Sequence, residues 1–234
     1  MIAEAQDLRQ QIIAHAPDWA NAQPEPQETG SSRPRYGVRI PVMRQIMKTW
    51  ATANKDRVSY GHWGAILDAL YKAQSVDECI MAGMLLGHFT AYRQRLPLAT
   101  LDSWLAHLEG WIEVDSTCQS AFSEREMLDR IEEWEPFLKA LNSDANIHKR
   151  RASLVLLVKP IRGSNARIAQ LALAQIDGVK HEHDKLITKA VSWVLREGVK
   201  SHRQLIADYI AANRDSLPAL AVREVTRKLE TGRK

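Results

Sequence analysis

The sequence predicts an all-α protein assembled from repeated helix pairs, and three observations support this prediction. Apolar residues recur every three or four positions through most of the 234 residues, which is the period of an amphipathic helix. No segment shows the sustained apolar–polar alternation of a β-strand. The first helices of successive pairs begin near residues 76, 111, 145 and 183, so the pairs repeat every 35, 34 and 38 residues.

This repeat length is typical of HEAT and armadillo repeats. A single hairpin of this size cannot bury its own apolar face, so neighbouring hairpins stack on one another and form a concave surface. We therefore expect a right-handed superhelical solenoid of HEAT-like antiparallel helix hairpins. A non-repetitive helical bundle is the alternative, because no single repeat carries a specific signature.

Capping residues mark the ends of the predicted helices. Ser75 and Asp144 precede helical stretches and are candidate N-caps. Gly163, Gly178 and Gly198 lie where periodic stretches end. The predicted helices cover residues 3–15, 41–54, 60–73, 76–92, 98–108, 111–122, 127–141, 145–158, 164–176, 183–197, 200–213 and 217–230.

The helical pattern fails over residues 16–35, which contain four prolines. Proline lacks a backbone N–H and disfavours helix interiors, so this segment is predicted to be a loop or a partly disordered linker. We accordingly divide the chain into an N-terminal helix plus a proline-rich loop, residues 1–35, and one continuous repeat domain, residues 36–234.

The composition excludes several classes of protein. With 45% hydrophobic and 26% charged residues, the chain is globular rather than disordered or of low complexity. No apolar run approaches the ~18 residues of a membrane span, and the acidic N-terminus is unlike a signal peptide. Cys79 and Cys118 fit neither a disulfide framework nor a metal site. We expect a cytoplasmic monomer that uses no metal and no cofactor.

The net charge of +4 conceals two segments of opposite sign. Residues 102–135 hold ten acids and two bases, a net charge of −8. Residues 149–203 hold twelve bases and four acids, a net charge of +8. A basic surface of this kind suits a polyanion. Charged helix faces that are merely solvated are the alternative.

A tryptophan lies among cations on the predicted helix over residues 183–197. One stripe of this helix, at steps of four, four and three residues, carries Lys185, Lys189, Trp193 and Arg196. The cations suit phosphates, and the indole suits a sugar or a base. Alternatively, Trp193 packs against a neighbouring helix while the cations extend into solvent.

A second constellation pairs an aromatic ring with a carboxylate. Trp111 and Asp115 stand four residues apart and so share a helix face. A carboxylate beside a ring can stabilise a developing cation or act as a base when the site is partly dry. Glu113 is expected to point elsewhere and to be solvated. Alternatively, Asp115 is an ordinary first-turn acid favoured by the helix dipole.

A basic cluster, His148 to Arg151, opens an otherwise apolar predicted helix. At least one guanidinium group therefore lies near buried surface, where it needs an acceptor. Asp115 is a candidate acceptor within the chain, and phosphate is a candidate outside it. The tract from His181 to Asp184 resembles a metal motif, but its histidines do not share a helix face. We interpret that tract as a polar helix start.

Four stretches in a fixed order resemble the AlkD-type DNA alkylation-repair family, whose members are HEAT-like-repeat glycosylases that excise alkylated bases. The stretches are Tyr36 to Pro41 followed by Met43 and Arg44, Trp111 to Asp115 (WIEVD), Arg150 to Leu154 (RRASL), and Lys189 to Glu197 (KAVSWVLRE). The last is the most specific. The resemblance spans residues 36–230, which is most of the chain.

The resemblance implies roles for individual residues. The family's catalytic carboxylate corresponds to Asp115, and its two ring contacts correspond to Trp111 and Trp193. Its functional arginine corresponds to Arg151 rather than Arg150, because the family's arginine directly precedes an alanine. The residues expected to contact DNA are Arg151, Arg150, Lys189, Arg196, Lys185, Arg39 and Tyr36.

The resemblance also implies a function. It is that of a monofunctional DNA glycosylase, nucleoid-associated when bound, that hydrolyses the N-glycosidic bond of cationic N3- and N7-alkylated purines in duplex DNA. Two features depart from the family: Arg39 replaces a frequent amide, and residues 16–35 match no family pattern. A non-catalytic relative that binds damaged or branched DNA is one alternative. A helical scaffold that binds an acidic protein is another.

Overall fold

A computed structural model describes residues 2–119 and 121–232 of the chain. Within these ranges the regular structure is helical, apart from one isolated antiparallel bridge between Pro24 and Pro34. The predicted all-α class is therefore confirmed. Two 3-10 turns cover Trp19–Asn21 and Pro160–Arg162. The α-helices are α1 (Ala3–Ile13), α2 (Pro26–Thr29), α3 (Ile40–Asn54), α4 (Tyr60–Tyr71), α5 (Val76–His88), α6 (Thr90–Arg93), α7 (Leu98–Leu105), α8 (Trp111–Cys118), α9 (Glu124–Leu128), α10 (Ile131–Asn142), α11 (Ile147–Val158), α12 (Ala166–Val179), α13 (Lys185–Gly198), α14 (Arg203–Ala212) and α15 (Ala219–Thr231).

The chain divides into two compact units, Met1–Ala121 and Phe122–Lys234. In the first unit α5 is central, because it contacts α1, α3, α4 and α8. Most residues of α5 are buried. An aromatic cluster fills the adjacent core, where the ring of Trp104 stacks on Tyr71 at 5.3 Å and meets Trp63 edge-on at 6.3 Å. Burial of such large apolar side chains is the main stabilising contribution to a core of this kind.

In the second unit α11 is central, because it contacts α10, α12 and α13. Its residues from Leu154 to Val158 are fully buried. Beyond it α13 contacts α15. Helices that are two apart in the chain thus pack on one another, as expected when successive helix pairs stack. The pairs begin at Val76, Trp111, Ile147 and Lys185, within two residues of the predicted starts.

The structure confirms one predicted cap and corrects another. The hydroxyl of Ser75 accepts a hydrogen bond from the backbone N–H of Glu78 at 3.2 Å, as predicted. The prediction for Asp144 is wrong, because the side chain that accepts the His148 N–H is that of Asn146. Asp144 instead accepts a hydrogen bond from the backbone N–H of Asn146 at 2.7 Å. It therefore lies two residues before the N-cap.

The proline-rich segment is packed against the first unit rather than forming a free linker. Residues Pro26–Thr29 form α2, which contacts α8, and the side chains of Thr29 and Ser31 are fully buried. Helix α1 packs on α3, α4 and α5. The division that we predicted at residue 35 therefore falls inside a compact unit.

Helices α5 and α8 approach each other most closely at Gly83. A Cβ atom added there would lie 2.5 Å from the carbonyl oxygen of Ser116 and 2.9 Å from the backbone nitrogen of Thr117. Both distances are well below the contact distance of nonbonded atoms, so only glycine permits this approach. The position of α8 thus depends on a residue in α5.

Gly83→Ala is expected to lower the free energy of unfolding by about 2 kcal/mol, because the methyl group overpacks the α5–α8 contact. This loss would occur although alanine favours helix formation over glycine by about 1 kcal/mol. Gly64→Ala is the matched control, since an added Cβ there meets nothing within 4 Å. We expect it to stabilise the protein slightly in urea-induced unfolding. Equal effects of the two substitutions would contradict the close approach.

Candidate functional site

The ring and the carboxylate of the predicted pair lie one turn apart on α8. Trp111 is the first residue of this helix and is half-buried. Asp115 is its fifth residue and is only 8% exposed. Asp115 lies beyond the first turn and is buried. A favourable interaction with the helix dipole therefore does not explain why an acid occupies this position. A carboxylate removed from bulk water interacts more strongly with any nearby charge.

The prediction that Glu113 is solvated is wrong. Its side chain is fully buried and accepts three hydrogen bonds within the first unit. The donors are the Ser31 hydroxyl at 2.6 Å, Nη1 of Arg33 at 2.8 Å and the backbone N–H of Glu109 at 2.8 Å. Glu113 therefore joins the proline-rich segment to the start of α8, and the chain separation of 82 residues between Ser31 and Glu113 hides this contact from local sequence patterns.

Arg33 extends this contact to two further parts of the unit. Nη2 donates to the carbonyl oxygen of His107 at 2.6 Å, and Nη1 lies 3.2 Å from Sγ of Cys79. Burial raises the pKa of the Cys79 thiol well above its ordinary value. The negative charge of Glu113 makes a smaller contribution in the same direction. Cys79 is therefore a neutral core residue and not a nucleophile.

Tyr36 is held in place by a buried carboxylate. The backbone N–H groups of Tyr36 and Val38 donate to Asp77 at 2.7 and 3.2 Å. Tyr36 is 8% exposed as a residue, and its hydroxyl accepts a hydrogen bond from Arg9. Little of this ring is therefore accessible to a ligand. Arg39, the residue before α3, is exposed.

An exposed tryptophan beside Tyr36 was not among the predicted site residues. Trp19 is 41% exposed, and its ring meets Tyr36 edge-on at 6.3 Å. The fraction of a side chain that is exposed depends on tertiary packing, which the local sequence pattern does not encode.

In the second unit, the predicted cationic stripe of α13 divides into exposed and paired members. Lys185 and Lys189 are exposed, and within the described ranges neither forms an ion pair. Arg196 is mostly buried, and its Nε lies 3.3 Å from a carboxylate oxygen of Glu224. Trp193 is half-buried. Of these cations, the two lysines are therefore the more accessible to an external anion.

The two arginines of the basic cluster make contacts within the second unit. Arg150 forms a bidentate ion pair with Glu182 at 3.0 and 3.1 Å and donates to the carbonyl oxygen of Asp144. Arg151 is 4% exposed and donates to the carbonyl oxygen of Leu186, in the first turn of α13. Arg151 therefore contacts the helix that carries Lys185 and Trp193.

The histidine tract before α13 is a helix start, as predicted. Asp184 is the N-cap and accepts the N–H of Leu186 at 2.7 Å, while His181 and His183 are exposed. In the described part of the chain, no three His, Cys, Asp or Glu side chains come together as metal ligands. Among the same residues, no helix is long and apolar enough to cross a membrane.

Comparison with known proteins assigns the chain to a family. The family model described as DNA alkylation repair enzyme matches residues 10–229. A solved structure, described as a predicted DNA alkylation repair enzyme from Enterococcus faecalis, is similar with a TM-score of 0.69 and 19% sequence identity. The match covers 85% of this chain and 90% of that one. No curated protein matches. The chain therefore belongs to the DNA alkylation repair enzyme family, and this membership supports a role in DNA repair.

The buried carboxylate of Asp77 gives a prediction about pH. Burial raises its pKa above the ordinary 3.8, although the N–H groups of Tyr36 and Val38 oppose the shift. Between the unfolded and the folded pKa the folded state binds more protons, so the contribution of Asp77 to stability decreases as pH rises through this window.

We therefore compare the wild type with Asp77→Asn, which does not titrate. The stability advantage of the wild type over this variant should narrow as pH rises above the ordinary pKa of 3.8 and through the raised pKa. Urea unfolding at each pH measures the difference. An advantage that grows with pH would contradict the raised pKa.

Proposed function

We propose that this protein is a monofunctional DNA glycosylase that hydrolyses the N-glycosidic bond of cationic N3- and N7-alkylated purines in duplex DNA. The observation that carries the proposal is the buried carboxylate of Asp115, one turn from Trp111 on α8, in a chain of the DNA alkylation repair enzyme family. Family membership supports the repair of alkylated DNA, and the carboxylate suggests how the bond is broken.

The chemistry needs a stabiliser of positive charge more than it needs an acid. Alkylation at purine N3 or N7 makes the base cationic, so the base can leave without being protonated. As the bond breaks, positive charge develops on the deoxyribose. A buried carboxylate attracts that charge strongly because little water screens it. Asp115 would supply this attraction and would position the attacking water.

Trp111, on the same helix as Asp115, would assist through its ring face, and the family resemblance implies the same role for Trp193 in the second unit. An indole face attracts a cation and packs against a sugar. Trp111 and Trp193 are both half-buried, so each residue retains some accessible surface. The hydrolysis takes its oxygen from water and changes no oxidation state. It therefore requires no redox cofactor.

Contacts to the DNA backbone are proposed for the exposed lysines Lys185 and Lys189. A phosphate contact at Arg150 or Arg196 would compete with the ion pairs to Glu182 and Glu224. Arg151 is buried against the carbonyl of Leu186, which favours a role in holding the DNA-facing start of α13. Exposed Arg39 would contribute from the first unit.

A non-catalytic protein that binds damaged or branched DNA is the second candidate. The same exposed lysines support it, because phosphate contacts alone give affinity without bond cleavage. The two candidates differ in what Asp115 does. Phosphate contacts do not require a carboxylate, whereas the proposed glycosylase mechanism uses one to stabilise the sugar cation.

Asp115→Asn is expected to slow excision by roughly 10²-fold or more, equivalent to about 2.7 kcal/mol of barrier. The substitution keeps the shape of the side chain and removes the charge that matters in the transition state. DNA affinity should change little. The measurement is single-turnover release of N7-methylguanine at saturating protein, with binding followed on the same duplex.

The matched control is Asp68→Asn, which removes an exposed carboxylate from the same unit, where it pairs with Lys72 on the surface of α4. We expect this variant to excise the base like the wild type. Wild-type excision by Asp115→Asn would refute the mechanism. A wild-type protein that binds alkylated duplex DNA but releases neither N3-methyladenine nor N7-methylguanine would favour the non-catalytic candidate.

Lys189→Met is expected to reduce the slope of log affinity against log salt by about one unit, because one phosphate contact is lost. Arg167→Met also removes one positive charge, but Arg167 is paired with Glu132 and Glu135. It should therefore leave the slope unchanged. Titration of both variants with duplex DNA at several salt concentrations measures the difference. Identical slopes for the two would exclude Lys189 from the interface.

A further inference from the structure

We propose that Arg33 is a positioning residue that, through Glu113, fixes the start of α8 and thereby the places of Trp111 and Asp115. The catalytic part of this inference rests on the function proposed above. The segment concerned lies in the proline-rich region, before the four stretches that carry the family resemblance. Its role is argued from contacts within the first unit alone.

The first step is the burial of Glu113. Its carboxylate has no exposed surface, and burying a charge is costly unless donors replace the lost water. The Ser31 hydroxyl and Nη1 of Arg33 supply two donors, and the backbone N–H of Glu109 supplies a third. If Arg33 is removed, the buried charge loses its only cationic hydrogen-bond donor among these three. Either α8 must then shift or water must enter.

The second step is the geometry of the guanidinium group. Arg33 reaches Glu113 and Cys79 through Nη1 and the carbonyl oxygen of His107 through Nη2. One planar group therefore joins α5, the connection between α7 and α8, and α8 itself. A lysine carries the same charge, but its single ammonium group lacks the planar fork that makes these contacts together.

The third step is direct contact between the segment and the proposed site. Gly30 has φ +73°, and a Cβ added to it would lie 2.9 Å from Cδ1 of Trp111. A Cβ added to Gly110 would lie 2.5 Å from the carbonyl oxygen of Thr29. The segment thus lies against the indole and against the residue before α8. Ser32 adds a hydrogen bond to the carboxylate of Glu109.

These contacts hold the first turn of α8 through residues of the proline-rich segment, which lie outside the helix. Helix α8 has eight residues, and its N-cap residue, Gly110, provides no side-chain cap. Arg33 and Ser31 instead hold the first turn by donating hydrogen bonds to the side chain of Glu113. Catalytic groups must be placed accurately, since a displacement of about 1 Å can lower a rate by about 10²-fold. Loosening this turn would therefore affect the chemical step more than DNA binding.

Three substitutions test the inference by separating rate from affinity. Arg33→Met should lower single-turnover excision of N7-methylguanine at least about tenfold, while DNA affinity changes less than about threefold. Arg33→Lys, which keeps the charge, should restore part of the rate. Leu8→Ala is the control for general destabilisation, because Leu8 is fully buried in α1, which packs on α3, α4 and α5.

All variants are assayed at a temperature at which each is fully folded by circular dichroism. Leu8→Ala should then excise the base at nearly the wild-type rate. If Leu8→Ala slows excision as much as Arg33→Met does, general destabilisation explains the effect and the inference is overturned. Equal losses of rate and affinity in Arg33→Met would also overturn it.

Amide hydrogen exchange gives a readout that does not depend on activity. Arg33→Met should accelerate exchange in residues 111–118 more than Leu8→Ala does, relative to the rest of the first unit. Unchanged exchange there would overturn the anchoring of α8. A wild-type protein that releases no base would refute the proposed function and the catalytic part of this inference. The exchange experiment would still confirm or overturn the anchoring itself.

Discussion

A carboxylate without any contact to water must be matched by donors, and in this protein that constraint falls on Glu113. Its three donors come from the proline-rich segment and from the turn before α8. The hydrogen bonds from these three donors fix the path of residues 29–33 and the position at which α8 begins. The close approach at Gly83 fixes the other side of α8. The side chains of Trp111 and Asp115 are placed by these two contacts.

In the second unit, ion pairs within the protein engage many of the cations of the basic segment. Residues 149–203 carry a net charge of +8, yet much of that charge is engaged internally. Arg150 pairs with Glu182, and Arg196 pairs with Glu224. The exposed lysines of α13 remain the more accessible sites for an anion. A count of charges therefore overestimates the surface available to DNA.

Sequence reasoning predicted the helices well because their signals are local. Apolar periodicity placed the helix pairs, and the Ser75 cap was confirmed. Local interruptions were harder to predict: the helix predicted over residues 76–92 is interrupted at Phe89, where α5 ends and α6 begins. The cap at α11 was misassigned because Asp144 and Asn146 are both good capping residues, and spacing alone does not choose between them.

The candidate site was only partly predictable, because sequence patterns report local contacts and not contacts between distant parts of the chain. Trp111 and Asp115 share a helix face, and their spacing indicates this directly. The burial of Glu113 depends on Arg33, which lies 80 residues earlier in the chain, and no local pattern encodes such a contact. Prolines suggested a loose segment, whereas the segment is fixed by side chains that sequence patterns treat as ordinary polar residues.

A double-mutant cycle between Arg33 and Asp115 tests most directly whether Arg33 affects the excision rate by placing the Asp115 carboxylate. Single-turnover excision of N7-methylguanine is measured for the wild type, Arg33→Met, Asp115→Asn and the double variant. If Arg33 serves to place Asp115, Arg33→Met should slow excision much less once Asp115 has lost its charge. An equal loss of rate in both backgrounds would show that Arg33 acts independently of Asp115 and would contradict this account.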